Sequence, residues 1–192
     1  MKNIIIVVSV LFLTGCRCKQ ETVKTSLNTY ERTIIPNTKS KVLEYKNEKG
    51  EIINATVSGK EISEKNLNAS DDEGCFSNLV EVHQYNITFS DSSKSLFVTI
   101  EKARQNKTVF WIYEIDNNYS TTASYSIQNS DTQNIEEELV NVSIEGFQYN
   151  NVFIFDLNSY STDNEFEKII YSSNNGIVFL KKKEGGYLKL EE

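Results

Sequence analysis

From Lys41 to the end of the chain, short runs rich in Val, Ile, Phe, Tyr and Thr alternate with clusters of Asn, Asp, Ser and Gly. The runs include "KVLEY", "EIINATV", "LVEVHQYNITF", "SLFVTIEK", "KTVFWIYEI", "TTASYSI", "LVNVSIEGFQY", "NVFIFDL", "EKIIYS", "GIVFLKK" and "YLKL". The breaks include "KNEKG", "SDSSK", "DNNYS", the "NN" at 150–151, "NNG" and "EGG". β-branched and aromatic residues suit a pleated, half-buried surface, and such breaks supply hairpin turns. This pattern predicts a mainly β protein: an antiparallel sandwich or partly open barrel of roughly 8–11 strands, with at most one or two short helices. One helical segment is expected, from Ser130 to Leu139, with Ser130 or Asp131 as its cap and acids in its first turns. No second linker or repeat interrupts residues 41–192, which read as a single domain.

The strands are of two kinds. "SLFVTIEK" alternates imperfectly, whereas "VFWIY", "NVFIF" and "GIVFL" are apolar on both faces. A strand apolar on both faces is covered on both. Either a second layer of sheet or helix lies behind it, or the strand belongs to an incompletely closed barrel that holds an apolar ligand. Trp111 and Tyr113 share one face of "VFWIY" with Val109. They read as β core or as an exposed aromatic ligand surface for a sugar or a protein partner.

The chain carries a formal charge of −7. Nucleic-acid binding needs a basic patch that displaces counterions, so this balance disfavours it. It equally disfavours electrostatic adhesion to an anionic membrane. The N-terminus nevertheless reads as a membrane address. Lys2 precedes an apolar run from Ile4 to Leu13 interrupted only by Ser9. About ten residues are too few to cross a bilayer as a helix, and the position fits a signal peptide over residues 1–15.

The end of that run, Leu13-Thr14-Gly15-Cys16, resembles the lipobox of bacterial lipoproteins. The resemblance implies peptidase recognition through Leu13, Thr14 and Gly15, cleavage after Gly15, and diacylglycerol on the Cys16 sulfur, with acyl chains such as palmitate. Two or more chains anchor a protein stably where one holds only marginally. The protein is then expected in the cell envelope, with the membrane as a partner through its N-terminal acyl chains. Arg17, where enterobacterial members retained in the inner membrane carry Asp, favours the outer membrane in a Gram-negative source. Residues 16–40 read as the lipidated N-terminus and a flexible tether of about 25–30 Å reach, with one short apolar contact at Ile34-Ile35. The closing "IIYSSNNGIVFLKKKEGGYLKLEE" is similar to the last hairpins of small envelope lipoproteins, which implies β architecture and no activity.

With Cys16 lipidated, Cys18 and Cys75 remain. In an oxidising compartment they form a disulfide worth roughly 4 kcal/mol, or stay as two free thiols. C-R-C has no second ligand pair at zinc spacing, and His83 is the only histidine, so neither metal nor cofactor is expected. His83, on the strand face of Tyr85, Ile87 and Phe89, reads as a half-covered rim residue. G-x-S-x-G, a phosphate-binding Gly loop and H-E-x-x-H are all missing. Acids occur at Asp71-Asp72-Glu73, Asp116, Glu136-Glu137-Glu138, Asp156, Asp163 and Glu165. A hydrolase would need two of them facing across a cleft. Asp116-Asn117-Asn118 reads as a β-turn. The functional expectation is a non-catalytic, lipid-anchored binding or structural module for a protein or glycan partner. The alternatives are a carrier of an apolar ligand and, behind it, a carboxylate-based hydrolase.

Overall fold

The computed structural model describes residues 21–36, 39–67, 76–103, 107–127, 134–157 and 164–191. The lipobox residues Leu13 to Cys16, and Cys18 and Cys75, lie outside them, as do Asp71-Asp72-Glu73 and Asp163.

The described chain is almost wholly β. Its strands are β1 (Glu21–Thr25), β2 (Lys41–Asn47), β3 (Ile52–Val57), β4 (Glu61–Asn66), β5 (Phe76–Phe89), β6 (Ser95–Lys102), β7 (Thr108–Ile115), β8 (Thr121–Ile127), β9 (Val140–Ile144), β10 (Phe147–Leu157), β11 (Phe166–Ser172), β12 (Gly176–Lys182) and β13 (Tyr187–Leu190). One α-helical turn, α1 (Glu31–Ile34), and a 3₁₀ turn over Ile135–Glu138 accompany them. That 3₁₀ turn is what stands within the helix expected from Ser130 to Leu139; residues 130–133 of that span lie outside the described set.

Ten strands pair antiparallel in the cyclic order β2-β3-β5-β6-β7-β8-β10-β11-β12-β13, and β13 returns to β2 through Leu188↔Asn47, Lys189↔Lys46 and Leu190↔Tyr45. The molecule is therefore a closed up-and-down barrel rather than a sandwich or a partly open one. Closure leaves these ten strands no free edge inside the cycle. Local turn chemistry sets the meander. Asn47 Oδ1 accepts from the Lys49 and Glu51 amides, with Gly50 at φ +83° completing the "KNEKG" turn. Asp116 Oδ1 accepts from the Asn118 and Ser120 amides, which makes Asp116-Asn117-Asn118 the turn its sequence suggested.

β7 shows how the strands divide inside from outside. Thr108, Phe110, Ile112 and Glu114 are buried inside the barrel, and Val109, Trp111, Tyr113 and Ile115 alternate with them on the outer face. Inside, Phe110 meets Phe153, Phe155 and Tyr171 nearly edge-on at centroid distances of 5.4, 4.8 and 5.1 Å. Tyr45, Phe89 and Phe166 form a second aromatic run. Gly176, at φ +81°, lets the "NNG" turn pass the Tyr85 hydroxyl, where a Cβ would sit 3.1 Å from that oxygen.

β9 and the first half of β10 form a hairpin outside the barrel, turned by Glu145 and Gly146, both at positive φ. The run "LVNVSIEGFQY" is thus two strands, not one. The "NN" at 150–151 is no break at all: it is a bulge, with Asn151 at φ 53°, that bends β10 from the hairpin into the barrel wall. The hairpin lays Phe147 and Tyr149 on Phe179 of β12, and Tyr187 stacks on the same ring at 5.3 Å. That second layer explains why "GIVFL" is apolar on both faces.

The tether reading for residues 16–40 needs correction from Glu21 onward. β1 pairs parallel with β5, and Leu27, Ile34 and Ile35 are buried in the core at 2, 0 and 1% exposure. The Ile34-Ile35 contact is real, but it belongs to a seal over one end of the barrel. Side-chain hydrogen bonds from the barrel fix the segment there, including Tyr171 hydroxyl to the Ile34 carbonyl. β4 was also unforeseen: it is exposed at every residue and pairs only with β5.

Candidate functional site

Because Phe110 and Ile112 point inward, Trp111 and Tyr113 stand side by side on the outer wall. Their rings lie 6.2 Å apart and only 16° from parallel. Cross-strand register places Thr99 and Ser126 beside Trp111, and Phe97 and Ser124 beside Tyr113. One strand further, Gln84 follows Thr99 and Asn86 follows Phe97. The result is an aromatic platform rimmed by hydroxyls and amides. Burial, and then the Glu101 carboxylate, push the Tyr113 hydroxyl pKa up, so it stays protonated and can donate. Unlike Phe179, which is fully buried beneath its hairpin, Trp111, Tyr113 and Phe97 are mostly covered but keep part of their surface in solvent.

Each barrel end holds a fully buried glutamate. At the end sealed by α1, Glu31 Oε1 accepts from Lys102 Nζ at 2.6 Å and from the Thr108 hydroxyl, while its Oε2 accepts the Asn28 amide at 2.7 Å. Asn28 Oδ1 accepts the Glu31 amide in return, the reciprocal pairing of a capping box. Beside them Arg32 makes a bidentate pair with Glu81, and Glu81 Oε1 lies 2.7 Å from His83 Nε2. Arg32 above all, then His83, hold the Glu81 carboxyl below its usual range. His83 is only 2% exposed, so it is not the half-covered rim residue expected. Burial, and then Lys60, lower its pKa, with Glu81 opposing them. At the other end Glu114 accepts from Lys94 Nζ at 2.9 Å, and the Glu165 amide lies 3.0 Å from both of its oxygens.

Among the described residues, the acids singled out in the sequence stand apart. Asp116 sits in its turn, Glu136 to Glu138 in the 3₁₀ turn, Asp156 pairs with Lys168, and Glu165 accepts from Ser92. Among the described residues no group of three or more His, Cys, Asp or Glu is arranged to hold a metal, and no helix is long and apolar enough to cross a membrane. Glu31, Lys102 and Glu114 escaped the sequence reading, although each strand residue carries a visible signal. Lys102 falls in the inward register of Leu96, Val98 and Ile100, and Glu114 in that of Phe110 and Ile112.

The fold and its surface define a sealed, ten-stranded up-and-down barrel with an aromatic platform on its outer wall. Searches of protein-family models, curated proteins and solved structures each find no match to the chain.

Proposed function

We propose that this chain is a lipid-anchored envelope protein whose barrel is a non-catalytic binding module, with the outer wall around Trp111 and Tyr113 as its contact surface. The observation that carries the reading is the partly exposed, near-parallel ring pair on the outer face of a strand that is apolar on both faces. Large aromatic surface left at the solvent boundary suits recognition better than packing. Between a glycan and a protein partner, the chemistry of the rim favours a glycan. Flat rings stack on the C–H face of a sugar, and the partly exposed Ser124, Ser126 and Gln84 place uncharged polar groups around them.

The carrier alternative receives less support, because the interior is filled by interlocking rings and the space beside Tyr85 and Ile177 holds about 10 Å³, room for a single water. The hydrolase alternative receives less support, because the described acids singled out in the sequence are engaged in separate turns and ion pairs: Asp116 in its turn, Asp156 on Lys168 and Glu165 on Ser92 and Lys182.

Two experiments test this reading. The double substitution Trp111→Ala with Tyr113→Ala should abolish binding of soluble peptidoglycan fragments or surface polysaccharide in calorimetric titration. It should lower the melting temperature only modestly, since both side chains lie on the outer wall rather than in the barrel interior. Undiminished binding would reject the platform. For the anchor, inferred from Leu13 to Cys16, Cys16→Ser should release the protein from the membrane fraction and abolish incorporation of labelled palmitate. Continued labelling would remove the lipobox reading.

A further inference from the structure

The ten-strand cycle closes without residues 21–36: β1 pairs with β5 where that strand extends past the cycle, and α1 adds no strand. The seal is therefore an added occupant of a barrel mouth that the other strands already form. Inward positions at that mouth follow from register. Lys102 and Thr108 pair across β6 and β7, and one row deeper His83 faces Ile100, which faces Phe110. Polar groups ring the opening over an apolar floor. Lys102 and Thr108 are 4 and 0% exposed, so this is a built and dehydrated cation-plus-hydroxyl pair, and a buried ammonium requires an anionic partner.

That partner is now the chain's own Glu31, whose carboxylate takes both donors. Ile34, Ile35 and Leu27 fill the apolar space beside it. His83, 2% exposed, lies in the row beneath this pair, with an Nδ1 that has no hydrogen-bond partner among the described residues. Polar contacts that a ligand could exchange also hold the segment beside its buried apolar side chains. Arg32 binds Glu81 at the surface, Lys60 Nζ donates to the Arg32 and Ile35 carbonyls, and Tyr171 donates to that of Ile34.

We propose that the mouth is a binding site for a carboxylate-headed amphiphile, with residues 27–36 as its intramolecular substitute. The ligand's carboxylate takes the place of Glu31 on Lys102 and Thr108, and its short alkyl tail takes the space of Ile34 and Ile35. Binding then requires the segment to leave, so the wild-type affinity is reduced by the fraction of molecules in which the mouth is open. This site is separate from the outer-wall platform, and neither reading depends on the other.

The test uses the mature chain with decanoate as amphiphile and acetate as a carboxylate without a tail. Glu31→Ala should bind decanoate about tenfold or more tighter than wild type and gain melting temperature from it, with acetate much weaker. Adding Lys102→Met to Glu31→Ala should erase that gain. In the wild type, saturating decanoate should speed hydrogen exchange at the Arg32 and Thr33 amides, which donate to the Asn28 and Tyr30 carbonyls. The Trp111→Ala, Tyr113→Ala chain should respond to decanoate as the wild type does, which separates this mouth from the platform. Equal affinity in Glu31→Ala and wild type, a gain that survives Lys102→Met, or acetate as effective as decanoate would each overturn the proposal. If Glu31→Ala does not fold, the wild-type exchange measurement decides: unchanged rates at Arg32 and Thr33 overturn it.

Discussion

Phe110→Ala should lower unfolding free energy by about 3–5 kcal/mol in urea denaturation, the range for emptying a buried aromatic site. The ring is fully buried and touches three other rings from two different strands, Phe153 and Phe155 of β10 and Tyr171 of β11. Deleting it removes the transfer free energy of the side chain and leaves a space that three rigid neighbours cannot readily fill. Domains of this kind are stable by only about 5–15 kcal/mol, so the loss is a large part of the whole. Trp111→Ala, one residue away, serves as the control: its ring is partly exposed on the outer wall and the expected loss is smaller. Similar losses for the two would mean that β7 is not inserted in the orientation described.

Glu114→Ala is expected to cost a comparable amount, about 3–5 kcal/mol, for an electrostatic reason. The carboxylate is 0% exposed and collects Lys94 Nζ, the Glu165 amide and the Tyr125 hydroxyl, the last at 2.8 Å. Truncation removes the shared acceptor and leaves those buried donors without it. The Lys94→Met, Glu114→Ala pair should lose less than the two single losses added, because the partners fail together. Strict additivity would show that the pair contributes nothing jointly. By contrast, breaking Lys24–Glu64, where both side chains are more than half exposed, should move stability by less than about 1 kcal/mol. Burial, not the mere presence of an ion pair, sets the size of these effects.

What could be read from the chain follows from where burial writes a pattern. β7 was visible as a continuous apolar run, although the structure buries only its alternate residues fully and leaves Trp111 and Tyr113 partly exposed. β12 was visible as a continuous run, since hairpin and barrel cover its two faces. β4 was not, because all six of its residues are exposed and only backbone hydrogen bonds to β5 hold them in place. β1 is similarly wet, with Val23 at 52% exposure, so its sequence resembles a linker. The α1 segment misled for the opposite reason. Its buried positions include Glu31, and a charged residue reads as solvent-facing until a lysine from β6 is known to meet it.

The candidate surface divides in the same way. That Trp111 and Tyr113 share a face is dictated by strand geometry and needs no structure. Which face is wet depends on where the β9–β10 hairpin lands, and it lands on β12 rather than β7.

The β class, the positions of most core strands, the net acidic charge and the expectation of a lipid address at Cys16 are legible in the chain. These are local matters: side-chain period, turn residues and a short motif are each written within a few consecutive positions. That the sheet closes, that residues 27–36 seal its mouth and that one aromatic face stays partly exposed are properties of the folded chain. Each of these depends on pairings between distant segments, Leu188 with Asn47 or Glu31 with Lys102, and no local pattern records them.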